Sequence, residues 1–402
     1  MATEELPRFG EAATAETEPP PRRSLAATLR HLRVIGRWHL GRLLAARRAP
    51  VSSRQGTLAS ERISSVLISR VNARMGNALF LTPLIRELHA LLPEVSIDVA
   101  CAYPEARDLL GHLPAVREVI VFPYKGIELV WRYLAALARV RARRYDLVID
   151  PTANSTSSRI VQWLCRARLR LGVESEHQWV SLTHSIPESL MPAHRALQPV
   201  FLLQRALDVP HEPARLQLSI GSDPHEQAQA RKLLRRALEL RGHDPARAQP
   251  VGFFAYATGA KRLEREYWRK FWTAFLQLAP EAVPVEFLPA PDTAPIDPQG
   301  VALHVSRPRL LAAVMGELCM FVSADTGPMH LASSTAVPTV ALFRASEPAL
   351  YGPLKPCDLA LDATRHPPAM LARFCREHWQ QQRARPNLDA RPSLDAQPSL
   401  DT

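Results

Sequence analysis

From Ile63 onward the chain alternates short apolar runs with stretches of helical spacing, and this pattern leaves few folds open. Short β-branched runs separated by helical patterns are the mark of a parallel sheet covered by helices on both faces. Residues 63–69 (ISSVLIS), 95–101 (VSIDVAC), 118–122 (EVIVF) and 146–150 (DLVID) read as strands. Between the first two, Leu81, Leu84, Ile85, Leu88 and Leu92 keep the spacing of one helix over 78–92. A less regular stretch runs from about 173 to 222. The alternation then restarts, with strands expected at 250–255, 283–288, 301–305, 319–323 and 338–343 and helices at 224–241, 265–278, 308–317 and 328–336. Two α/β blocks of about 150 residues follow, each of ordinary domain size.

The flanks differ in texture. The 402 residues carry a formal charge of +11, and residues 21–50 hold eight arginines and no acid, so the other 372 residues carry only +3. On a helix over 24–48, Leu25, Leu29, Leu32, Leu40 and Leu43 share one face with Arg30, Arg33, Arg37 and Arg48 beside it. That segment suits a basic amphipathic helix on an anionic membrane surface, and equally a solvated arginine-rich extension. One basic segment without a recognition motif is weak support for nucleic-acid binding, so no nucleic-acid partner is expected. At the other end RPNLDA, RPSLDA and QPSLDT repeat with period six, and proline at every sixth residue blocks helix and sheet alike. The expected organisation is an extension over 1–60, domains over 61–222 and 223–383, and a low-complexity tail over 384–402.

Several chemistries lack their motifs. Five scattered cysteines without a CxxC pair give neither a disulfide framework nor a zinc site, and a reducing cytoplasmic setting is expected. No run of about eighteen apolar residues occurs, and the acidic segment Met1–Pro21 is unlike a signal peptide. No G-x-G-x-x-G follows a strand, and there is no P-loop, no H-E-x-x-H and no G-x-S-x-G elbow. Neither a metal nor a cofactor is expected.

Three loops stand at the C-terminal ends of expected strands, the edge where open α/β sheets bind ligands. The first runs from Arg70 through Arg74 and Gly76 to Asn77, with Gly76 placed for a tight turn and Asn77 as cap of the helix beginning at Ala78. A plain turn and cap would explain it as well. The second, Ala257–Arg262, combines a small permissive loop with Thr258 and Lys261, a set that suits a diphosphate, although surface loops often carry such cations. In the third, Ser323–His330, Asp325, Thr326 and Gly327 form a turn before Pro328, the expected first helical residue, and His330 lies one turn in. A histidine there can equally be a satisfied structural residue.

These loops resemble glycosyltransferase family 9, the lipopolysaccharide heptosyltransferases and their relatives, over roughly residues 62–380. The segment FVSADTGPMHLASSTAVPTVALF (321–343) is similar to the family's D-[ST]-G-x-x-H stretch. RMGNALFLTPLIREL (74–88) is similar to its G-D-x-x-x-x-x-P loop, and KRLEREYW (261–268) to its K-x-W-P-x-x-x-W, with Leu263-Glu264 in place of Trp-Pro. The resemblance implies a GT-B fold, two Rossmann-like domains facing across a cleft. It also implies an inverting, metal-independent transferase carrying a sugar from ADP-heptose or another nucleotide-sugar to a lipid-linked cell-envelope glycan. On that basis Thr258, Lys261, Asp325, Thr326, Gly327 and His330 would hold the donor, Asp292 would approach its ribose, and Arg70, Arg74 and Gly76 would belong to the acceptor side. A cytoplasmic protein, peripheral on the inner membrane through residues 22–48, fits these partners.

One departure is chemical. The family's catalytic aspartate follows the glycine of the first loop, and here that position is Asn77. An amide does not titrate near neutral pH and cannot be a general base. Asp150, ending DLVID before Pro-Thr-Ala-Asn-Ser, is the substitute carboxylate on that face, with a turn or cap as its alternative role. The competing expectation is a weakened sugar-nucleotide binder that has lost its base.

Overall fold

The computed structural model describes residues 58–123, 129–176, 178–211 and 216–384. The expected amphipathic helix at 24–48 and all but Ala384 of the repeat tail lie outside these residues. Leu58, inside the expected extension, is fully buried in the core of the first half.

The first half contains β1 (Ser65–Arg70), α1 (Met75–Leu79), α2 (Thr82–Leu91), β2 (Ser96–Cys101), α3 (Ala106–Leu110), β3 (Val116–Val121), α4 (Leu129–Arg141), β4 (Arg144–Asp150), α5 (Thr156–Leu164), β5 (Arg166–Glu174), β6 (His184–Pro187) and α6 (Gln198–Leu207). The second contains α7 (Pro224–Glu239), β7 (Gln249–Phe254), α8 (Arg265–Leu278), β8 (Ala282–Phe287), β9 (Val301–Leu303), α9 (Pro308–Gly316), β10 (Met320–Ala324), α10 (Gly327–Ser333), β11 (Thr339–Phe343), α11 (Pro348–Tyr351), β12 (Leu359–Asp362) and α12 (Pro368–Arg383). All pairings are parallel. The sheets run β3-β2-β1-β4-β5-β6 and β12-β11-β10-β7-β8-β9. Read from its other edge, the second sheet repeats the doubly wound order of the first. Each half therefore has a switch point where the strand order reverses, between β1 and β4 and between β7 and β10.

The expected strands appear within one or two residues of their predicted limits, and 265–278 is a helix throughout. The single helix expected at 78–92 is two helices. Thr82 Oγ1 donates to the Leu79 carbonyl at 2.8 Å, and Pro83, with no N–H, sits in the first turn of α2, so the chain restarts there. Asn77 is consequently inside α1 and not its cap; Arg74 holds the cap position without a side-chain bond. Gly76 is a buried helical residue, not a turn glycine. In the third loop the helix starts at Gly327, one residue before Pro328. The stretch from 173 to 222 holds the end of β5, all of β6 and α6.

The halves are joined by packing and by charge. One apolar cluster runs from Leu84, Ile85 and Leu88 of the first to Leu318, Phe321 and Leu331 of the second. Asp108 of α3 accepts hydrogen bonds from Arg307 Nη2 and the Arg309 N–H, both at 3.0 Å, and within the second half Glu226 of α7 holds Arg309 in place at 2.9 Å. No helix among the described residues is long and apolar enough to cross a membrane.

Candidate active site

Each candidate loop leaves a strand beside a switch point, and the two sets meet. A Cβ added to Gly76 of α1 would stand 2.8 Å from His330 Cδ2, and one added to Gly327 would stand 3.0 Å from Met75 Cβ. Phe80 closes the contact edge-on to the His330 ring, with centroids 4.7 Å apart. Small residues at 76 and 327 are what allow α1 and α10 to approach this closely.

On the second half Asp325, nearly fully buried, accepts from Lys261 Nζ at 2.5 Å and from Ser346 Oγ, both at Oδ2. Its Oδ1 lies 3.9 Å from His330 Nε2, outside hydrogen-bond reach. Burial holds the His330 imidazole below the ordinary histidine range, with Asp325 pulling the other way, so the ring is neutral at neutral pH. Gly259 takes φ +63°, which the loop needs to bring Lys261 round, and Lys261 Nζ also stands 5.3 Å from the Tyr351 ring centroid. Thr326 caps α10 by position only, and its hydroxyl lies 3.1 Å from that of Ser323. Thr258 is exposed at the start of the same turn as Lys261.

On the first half Arg70 Nη2 donates to Asn77 Oδ1 at 3.1 Å, and its guanidinium stands 5.8 Å from the Phe80 ring. Burial lowers the Arg70 pKa to about 10, with Asp150 opposing, which leaves it a cation. Arg74 is exposed and its N–H is held by Asn72 Oδ1. Asp150 is 2% exposed at the end of β4. Its Oδ1 accepts from the Thr152 N–H at 3.0 Å and Oγ1 at 2.5 Å, while its buried Oδ2 has no partner. Burial pushes its pKa up to about 6, against the opposing pull of Arg159, Thr152 and Arg70. Arg159 is itself buried and held by Gln178 Oε1 at 2.6 Å and the Ala153 carbonyl at 2.5 Å.

Asp292 is exposed in the turn after β8, and no contact joins it to Lys261 or Asp325 among the described residues. The carboxylate buried on that strand is Glu286, which accepts from Tyr256 Oη at 2.6 Å and the Ile296 N–H at 2.8 Å. The fold also delivers groups that carry no local signal. His194 belongs to the charge environment of His330, its Nε2 donating to the Gly352 carbonyl at 2.8 Å and its Nδ1 accepting from the Ala196 N–H. Arg195 bonds the Leu350 carbonyl through its N–H, and with Tyr351 it belongs to the charge environment of Arg70. A separate groove of about 1240 Å³, lined by Arg86, Asp223, Arg231, Glu317 and Lys355 among others, contains none of these site residues.

Comparison with known proteins agrees with this architecture. The model of glycosyltransferase family 9 (heptosyltransferase) matches residues 309–379, which include the Asp325–His330 loop. No curated protein matches the sequence at a significant level. Among solved structures, a family 9 glycosyl transferase from Veillonella parvula is similar over 75% of this chain and 86% of its own, at 20% identity and TM-score 0.62. The E. coli ADP-heptose lps heptosyltransferase II is similar over 80% and 100%, at 18% identity and TM-score 0.61. E. coli heptosyltransferase WaaC with ADP is similar over 78% and 99%, at 17% identity and TM-score 0.57. At these identities the likeness is one of fold. The chain thus carries a segment matching the family 9 model in its second half and shares its fold, across both sheets, with solved glycosyltransferases of that family.

Proposed function

We propose that the protein transfers a sugar, heptose by family resemblance, from a nucleotide-sugar to a hydroxyl of a lipopolysaccharide-core or related cell-envelope glycan. Residues 223–383 would take the donor and 61–222 the acceptor, at the cytoplasmic face of a membrane that residues 22–48 would also engage. The observation that supports this best is the contact of the two switch-point loops at Gly76 and His330. It sets the Lys261–Asp325 pair of one half against the Arg70–Asn77 pair of the other, with Tyr351 near both cations.

The chemistry follows from those groups. The acceptor oxygen attacks the anomeric carbon from the face opposite the diphosphate and inverts it. The new C–O bond forms as the bond to the diphosphate oxygen breaks, and the nucleoside diphosphate leaves with the electron pair. Lys261 neutralises the growing charge, with the Thr258 hydroxyl, Thr326, and the N–H groups that follow Thr326 as further donors. Asp325 and Ser346 hold Lys261 in place, and neutral His330 packs the donor loop onto α1. Asp150 takes the acceptor proton on Oδ2, because a carboxylate with a pKa near 6 is mostly ionised at neutral pH yet a better base than an exposed one. Asn77, with its amide oxygen on Arg70, orients that cation toward the acceptor. Exposed Asp292 is the candidate ribose contact.

The second reading, a weakened sugar-nucleotide binder, is favoured by Asn77, which puts an amide where the family places its base. Nucleoside diphosphate release from ADP-heptose and a panel of other nucleotide-sugars, with and without a truncated lipopolysaccharide acceptor, separates the two. Acceptor-dependent release supports transfer. Donor binding without release at saturating acceptor supports the binder.

A further inference from the structure

The outward face of α4 is apolar. Val130, Trp131 and Leu134 are 62%, 77% and 49% exposed, and Ala135, Ala138 and Ala142 are exposed with them. Trp131, Leu134, Ala135, Ala138 and Ala142 follow helical spacing and form one stripe. The opposite stripe, Ala136, Leu137 and Val140, is buried with Phe122, Tyr145 and Val148. The helix thus has two apolar faces, and the fold of the described residues covers only one, where a surface helix normally turns charge outward. On neighbouring α5, Trp163 is 54% exposed and meets Trp179 edge-on.

The surroundings are cationic. Residues 129–144 contain five arginines and no acid. Arg139 and Arg143 are paired with Glu118, and Arg141 holds the Leu164 carbonyl, which fixes α4 against its neighbours. Exposed Arg144 and Arg166 stand at the far end of the stripe, where they line a shallow depression with Arg168, Arg170 and a single acid, Asp146. Because α4 leads from β3 into β4, its first turn lies at the C-terminal edge of the sheet, the edge that carries the Arg70 loop and Asp150.

We propose that this face of α4 lies on an anionic lipid bilayer, with Trp131 and Leu134 entering the headgroup boundary and the arginines engaging the lipid charge. An indole at one end of a shallow apolar stripe with cationic flanks is the composition that surface-lying helices use. A second copy of the chain fits less well, since a two-fold contact through this face would set arginine against arginine. The proposal does not depend on the sugar-transfer reading.

The test is flotation of the full chain with phosphatidylcholine vesicles, with and without phosphatidylglycerol. The wild type should float with the anionic vesicles, and the double variant Trp131→Ser/Leu134→Ser should lose at least about fivefold of the bound fraction. Leu240→Ser, an exposed apolar position after α7, should bind as wild type. All the replaced side chains are exposed, and unchanged melting confirms that the variants fold. Equal flotation of the double variant and wild type overturns the proposal and moves the membrane contact elsewhere. It is likewise overturned if the wild type does not bind, if the double variant dissolves a wild-type dimer, or if an acidic protein alone occupies the face.

Discussion

Gly76 and His330 touch across the two halves of the molecule, and a Cβ on Gly76 would come within 2.8 Å of the His330 ring. The ring is buried and backed by Phe80, so it has no easy way to yield. Gly76→Ala gains about 1 kcal/mol of helix propensity. The overlap costs about 1–3 kcal/mol. The net effect should be a melting temperature a few degrees lower and kcat/KM down at least about tenfold, since α1 and α10 must separate. Differential scanning calorimetry and nucleotide release measure the two effects.

Lys261→Ala leaves Asp325 buried with only Ser346 and a neutral histidine beside it. Lys261 is about one-third exposed, which screens the pair, so the stability loss should be about 1–2 kcal/mol. The larger effect should fall on the donor, with KM for the nucleotide-sugar rising at least about tenfold. Isothermal titration with the nucleoside diphosphate alone checks that the loss is in donor binding.

Asn77→Asp should place a carboxylate on Arg70, where an amide oxygen now accepts at 3.1 Å. If Asp150 is the base, turnover should change by no more than about threefold while the melting temperature rises slightly. A gain of 10²-fold or so would instead identify Asn77 as a lost base.

Asp150→Asn should separate stability from activity. A carboxyl whose folded pKa is raised contributes stability that is fully present below about pH 4 and is lost as the pH rises through about 6. The amide keeps an oxygen for Thr152 and never ionises. The variant should therefore be more stable than wild type at pH 8, by up to roughly 3 kcal/mol, with the difference shrinking toward pH 4. Urea denaturation across that range measures it.

Nine of the twelve strands among the described residues were legible because their Val, Ile and Leu runs match a sheet buried on both faces, and Asp325–His330 because its turn and helix start are local. β6 and β12, four residues each, were too short to show. β5 was not legible, since RARLRLGVE interleaves arginines that hide its apolar face. Gly76 read as a turn glycine because its real constraint is a ring more than 250 residues away. The parts of the site at His194, Arg195, Ser346 and Tyr351 have no motif of their own. Only the meeting of the first half's 194–196 loop with the second half's 346–352 segment brings them to Arg70, Asp325 and His330. Asp150 was visible as a strand-end carboxylate, but its unpartnered Oδ2 and raised pKa depend on burial that sequence does not display.

The pH dependence of acceptor-stimulated nucleoside diphosphate release, in wild type and Asp150→Asn, tests the central claim most directly. Wild-type kcat/KM should rise along a single acid limb near pH 6, and the variant should lose about 10²–10⁴-fold and show no such limb. An Asp150→Asn protein that turns over like wild type, with the same limb, would contradict the assignment of Asp150 as the base.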